Sequence, residues 1–214
     1  MKARVVALAV ISWILLGGDR AALRIPFASS DFPVEHAGFI VQQPLPATVE
    51  VAAPIDVRAS HYDEPVAGTD WTGCATDAIW KGDVSTLLQS RIADEIAYSN
   101  LFLPADSAPP GARELVLTTK IDAFCSRVRG FIFGQGAGIV SLEFTLLDGD
   151  KPVWQKKIEH VVTDSDPDYS GSQVTFIEQA MRILMMDSLK LVLRDMLQDI
   201  DRTYRPVLEP ARQQ

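Results

Sequence analysis

The chain has 214 residues, 47% of them hydrophobic, enough to bury the core of one domain. Its 20 basic against 28 acidic side chains give a formal charge of −8. That balance excludes a nucleic-acid phosphate backbone as the main partner, because such binding is driven by clustered Lys and Arg.

Lys2 and Arg4 precede the uncharged run Val5–Gly18, and Asp19 follows. A basic start, a short apolar stretch and small residues mark residues 1–22 as a secretory signal, cut near Gly18 or Ala21 and Ala22. An uncleaved signal anchor is the alternative, although the run falls short of the about 20 apolar residues that span a bilayer. Residues 23–46 carry Pro26, Pro33, Pro44 and Pro46 without a sustained period, so an extended leader across the surface is expected.

From Val49 the pattern sharpens. Val49, Val51, Ala53, Ile55, Val57 and Ala59 alternate with Glu50, Asp56, Arg58 and Ser60, which predicts a half-buried strand. Pro54 donates no backbone hydrogen bond and places that strand at an edge or a bulge. The polar connection over residues 60–82 holds Trp71 and Trp80. Aromatics of that size need cover, so the loop is expected to fold back over an end of the sheet; a binding role for both is the alternative. Asp83 is a plausible N-cap for a helix whose stripe is Val84, Leu87, Leu88, Ile92 and Ile96, with Arg91, Asp94 and Glu95 away from it and Asn100 as its stop.

The next strand, ELVLTTKIDAFCSRV, turns Leu115, Leu117, Ile121, Ala123 and Cys125 to the core and Lys120 and Asp122 to the other side. Gly134, Gly136 and Gly138 lack the GxxxxGK[ST] spacing of a phosphate loop and read as a flexible connection. Beside them Phe131, Ile132 and Phe133 either pair in the ladder or project to meet a partner or a lipid surface. A third strand carries Val140, Leu142, Phe144 and Leu146 inward, Asp148-Gly149 makes a hairpin turn, and a fourth strand uses Trp154, Ile158 and Val162.

Asp164, Asp166 and Asp168 then sit at alternate positions. A calcium loop starting at Asp164 would need Gly at position 6 and Glu at position 12, where Tyr169 and Thr175 stand. The stretch is therefore a connector and only a weak metal candidate. The last helix begins near Ser172–Thr175, with Thr175 and Glu178 fitting a capping box, and runs to about Ile200. Its Met181, Met185, Met186 and Met196 are adaptable core filling or a plastic groove for another chain; residues 201–214 are expected to fray.

The order β-α-β-β-β-α predicts an α+β two-layer sandwich, a four-stranded, largely antiparallel sheet with two helices on one face, in a single domain over residues 47–200. Its other face, with Lys120, Asp122, Glu143 and Thr145, is expected to be mostly wet. The two cysteines, Cys74 and Cys125, suit one disulfide in an oxidising compartment, closing a loop that stabilises by about 4 kcal/mol, or else remain two thiols. His36, His61 and His160 have no metal-ligand spacing and no GxSxG is present.

"VEVAAPIDVRAS", the helix from Asp83, the "LLDGDKPVW" hairpin and the closing helix fall in an order that resembles small bacterial envelope accessory lipoproteins. Among these are the lipopolysaccharide-assembly lipoprotein and the auxiliary lipoproteins of ABC-type lipid transporters. The lipidation Cys of such proteins is replaced here by Asp19 after Gly17 and Gly18, so no lipid anchor is read. The resemblance implies a non-enzymatic accessory without cofactor, in the periplasm or at the outer-membrane periphery, associated with an envelope protein complex or lipid. It would present a sheet edge, the Phe131–Phe133 loop or the last helix to that complex. A periplasmic lipid carrier and a metal-dependent hydrolase using Asp164, Asp166 and Asp168 are the competing expectations.

Overall fold

Three long alternating segments dominate the chain, and they become three long strands. The computed structural model describes residues 35–73, 83–129, 135–164 and 173–208. Its elements are β1 (Ala47–Val51), β2 (Ile55–Asp56), α1 (Val84–Ser99), β3 (Arg113–Arg129), β4 (Gln135–Asp148), β5 (Lys151–Asp164) and α2 (Gln173–Leu208). β3, β4 and β5 run antiparallel to their neighbours, while β1 and β2 both lie parallel to β3. The architecture is the expected α+β sandwich, with the sheet in five pieces rather than four. α2 lies over β3, β4 and β5, and α1 leans against β1 and α2.

The extra strand is the work of Pro54. Val51 pairs with Leu117 and Ile55 with Lys120, so four steps on the edge oppose three on β3. That slip is a bulge, and it reverses the faces of everything after it. Ile55, expected inward, is 60% exposed; Ala53 and Ala59 are exposed as well. Val49 and Val51, before the slip, pack against the core.

A second slip sits at Asp122, which has no partner on β4: Ile121 pairs with Leu142 and Ala123 with Ser141. Leu115, Leu117 and Ile121 therefore face the helices, whereas Ala123 and Cys125 face the opposite side. Both remain buried, because residues 57–73 fold over that part of the outer face and bring Val66 and Trp71 down as a roof. Asp122 is buried too, and the outer face is wet around Lys120, Glu143, Thr145, Gln155 and Lys157.

Local signals end the helices where expected at α1. The Asp83 carboxylate accepts from the Ser85 and Thr86 amides, and Asn100 takes the left-handed conformation at the C-cap. α2 departs from expectation, continuing to Leu208 with Pro206 inside its last turns. Tyr204 is buried there, and Arg205 donates to the Gln43 carbonyl at 3.0 Å. The helix is apolar on two sides because it meets both sheet and α1: Met181, Met185, Met186 and Met196 are all core residues. The capping pair Thr175 and Glu178 lies outside the described side chains.

Gly136 and Gly138 belong to β4, not to a loop. A Cβ on Gly138 would overlap the Leu184 carbonyl and the Met185 nitrogen of α2, whereas one on Gly136 would meet the Met181 and Leu184 side-chain tips. Between them, Ser188 Oγ donates to the Gly138 carbonyl at 2.7 Å and accepts from the Val162 amide at 3.0 Å. Overpacking against backbone cannot relax as a side chain can. Gly138→Ala is expected to cost about 3 kcal/mol and Gly136→Ala about 1 kcal/mol in urea unfolding.

Candidate functional site

Among the described residues, two gatherings of ionisable groups lie where segments meet the sheet and α1. On the outer face, the bulge turns Asp122 toward the roof and toward Lys157 and Glu159 of β5. Lys157 Nζ lies 3.0 Å from Asp122 Oδ2 and 3.0 Å from Glu159 Oε1. Glu159 also accepts from the Ser141 hydroxyl at 2.9 Å and, through its second oxygen, from the Ala67 amide of the roof at 3.1 Å. His61, on the roof, reaches Glu64 at 2.8 Å and Asp122 at 3.6 Å. Arg127 donates to Thr72 Oγ1 and the Gly73 carbonyl, both at 2.7 Å. Arg58 holds Asp56 at 2.8 Å and 3.0 Å, and donates at 3.4 Å to the Phe124 carbonyl.

Burial raises the Glu159 carboxyl, but the Lys157 ammonium and the Ser141 hydroxyl more than offset it and hold the group below its ordinary range. For Lys157, burial favours the neutral amine, yet Glu159 and Asp122 prevail and raise its pKa. Ser141, Lys157 and Glu159 thus have the residue types of a hydrolytic set without its chemistry. The serine is fully buried, and an amine held protonated cannot serve as its base. The group is an electrostatic clasp between roof and sheet.

The second gathering is a shallow cleft between α1 and α2, closed by residues 35–37 and lined by His36, Arg91, Asp94, Glu95, Leu189 and Lys190 among others. Glu95, expected to fall on the wet side of its helix, is only 4% exposed. It accepts from the Ala37 amide at 2.8 Å and contacts His36 Nδ1 at 3.1 Å. The His36 ring stacks on Tyr98 at 3.8 Å, and Glu35 pairs with Lys190. Residues 35–46 continue as a strap, with the Val41 and Leu45 amides bonded to the Ser99 and Leu101 carbonyls and Leu45 fully buried. The third histidine, His160 of β5, meets Asp195 of α2 at 2.8 Å. Each of the chain's 3 histidines is thus paired with a carboxylate of another segment or of its own loop.

The residues expected to meet a partner divide between described and undescribed parts. Trp71 is 3% exposed, packed in the roof as large aromatics in a polar loop require. Trp80, Phe131, Ile132, Phe133, Asp166 and Asp168 lie outside the described residues, and Asp164 closes β5. Cys125 is disulfide-bonded; Cys74, the chain's other cysteine, lies outside the described residues. Among the described residues no group of three or more His, Cys, Asp or Glu side chains is placed to hold a metal ion. Sequence patterning missed the clasp because its members come from four separated segments, and Asp122 reads beside Lys120 as ordinary outer-face polarity.

The clasp sets a pH dependence with a definite sign. Glu159 is depressed in the folded chain, so its contribution is complete above the ordinary glutamate range, about pH 4.3, and is lost as pH falls through the lower folded value. Lys157 is raised, so its contribution persists to about pH 10.4 and fades as pH climbs through the higher folded value. Thermal melts across pH should show Glu159→Gln removing part of the acid limb and Lys157→Met part of the alkaline limb. A buried carboxylate with two donors also makes Glu95→Ala costly, by about 2 kcal/mol in the same melts.

No protein-family model and no curated protein matches the chain. Among solved structures it is similar to protein XCC0632 from Xanthomonas campestris, of the family designated DUF330, at 14% identity over 86% of this chain and 94% of that one, TM-score 0.48. It is similar also to the hypothetical protein CT253 from Chlamydia trachomatis, at 10% identity over 73% of this chain and 96% of that one, TM-score 0.37. A third likeness is to lipoprotein GNA1162 from Neisseria meningitidis, at 11% identity over 66% of this chain and 99% of that one, TM-score 0.32. At these values the likenesses carry no functional argument.

Proposed function

We propose that the chain is an exported, non-catalytic accessory protein of the bacterial cell envelope that works by docking on a membrane-associated transport or assembly complex. The observation that carries this reading is the disulfide at Cys125. Such bonds persist in oxidising compartments and are rare where thiols are kept reduced. It agrees with the basic, apolar start at Lys2–Gly18. The clasps support a role by contact, since among the described residues His36, His61, His160, Glu95 and Asp122 are engaged in fastening the strap, the roof and β5 to the rest of the fold.

A lipid carrier is less well supported than a docking protein. The seam a lipid would enter, between α2 and the sheet, brings helix backbone onto Gly138, and Val140, Leu142, Phe144 and Met185 are completely buried.

Two measurements test the proposal. The intact mass of the chain taken from its native compartment, with thiols trapped at lysis, should be about 2 Da below that of the reduced chain; two trapped thiols would place it in a reducing compartment and sink the reading. A photo-crosslinker at exposed Ile55 should then join the chain in living cells to a subunit of an envelope membrane complex. Exclusive recovery of cytosolic proteins would count decisively against it.

A further inference from the structure

We infer that the outer edge of β5 is an interface for a second copy of this chain, joining two sheets through antiparallel β5 strands centred on Ile158. The sheet ends on that side: β5 pairs with β4 and, among the described residues, with no other strand. The opposite edge is already protected. Gln89 Nε2 donates to the Val51 carbonyl at 2.9 Å, and the Leu103 amide to the Ala47 carbonyl at 2.9 Å.

Edges that stay single are usually blunted by proline, bulges and lysines. β5 has those devices at its start, with Pro152, the slip at Val153 and Lys156. Past Lys156 they stop, and Ile158, Val161 and Val162 supply the β-branched side chains of a strand made to pair; centred on Ile158, the pairing spans Trp154–Val162 of each copy, short of Pro152 and the Val153 slip and with Thr163 at its margin.

Charge selects both occupant and register. With Ile158 opposite its counterpart, Lys157 of each copy faces Glu159 of the other, so the clasp becomes a ladder of four alternating charges. On the helix side Lys156 would face His160 of the second copy, and each brings its own carboxylate, Asp199 at 2.8 Å and Asp195 at 2.8 Å. Moving the register by two residues would instead set Glu159 against Glu159. The self-complementary pattern is that of a two-fold interface, and it holds whether or not the envelope reading does.

The test is the sedimentation mass of the full chain. Wild type should have twice the mass of one chain; a monomer at high micromolar concentration overturns the inference. Lys157→Glu and Glu159→Lys set like charges across the interface and should each raise the dissociation constant about tenfold, while the double swap restores it. Because these variants also touch the roof, Thr163→Lys provides an independent arm. Thr163 is exposed, and an added edge lysine should yield a folded monomer by circular dichroism. A dimer indifferent to Thr163→Lys and to both charge swaps would use another surface and overturn the assignment.

Discussion

The fold depends on how closely α2 approaches β4. A hydroxyl on the helix, Ser188 Oγ, sits within hydrogen-bond reach of the Gly138 carbonyl and the Val162 amide, two residues that face each other across the β4–β5 ladder. Such an approach requires the sheet to lack a side chain at that point, and Gly138 supplies the gap. Once the helix axis is drawn in this far, its flanks are committed. One flank meets Trp154 and Lys156 through Asp199. The other offers Met186, Leu189 and Leu193 to α1. Flexible methionine chains suit a seam whose depth is set by backbone rather than by side-chain size.

Three one-residue slips distribute the remaining side chains. They lie at Ala52–Pro54, at Asp122 and at Val153, and each exchanges the two faces of its strand. The slip at Asp122 has the largest consequence. It gives the sheet a second buried patch, with Ala123, Cys125, Ala137, Ile139 and Ser141 on the face away from the helices. A patch of that kind needs a cover, and the roof provides one. It also buries a carboxylate, and Lys157 provides the counter-charge, with His61 3.6 Å away.

The order of elements was legible because its signals are local. Alternation marked β3, β4 and β5, Asp83 and Asn100 bounded α1, and Asp148-Gly149 turned the hairpin. What escaped was everything governed by pairing partners. Period-two patterning through Ile121, Ala123 and Cys125 looks continuous on paper, yet a single unpaired residue between them sends the last two to the other face. Glu95 was likewise illegible: on its helix it reads as polar surface, and only the strap laid over α1 makes it interior. Gly138 resembled loop material, since close backbone approach leaves no trace in a sequence beyond the glycine itself. The clasp could not have been found by spacing, its carboxylates lying 159 − 122 = 37 positions apart.

These levels of construction differ in strength, and the difference bears on how the molecule can act. The helix–sheet seam is dry, interdigitated and fixed by backbone contact. The strap and the roof rest instead on a few hydrogen bonds, on single buried side chains (Leu45, and Val66 with Trp71) and on ion pairs with partly exposed members such as Glu35–Lys190, the last worth little singly and weakened by salt. Segments held in this way open at lower free energy than the core that carries them. The docking role proposed above would use that arrangement. The strap follows the apolar N-terminal run in sequence, and the roof covers an apolar patch on the sheet face away from the helices. Either can open while Ser188 keeps α2 seated on Gly138, so movement at the periphery need not compromise the frame.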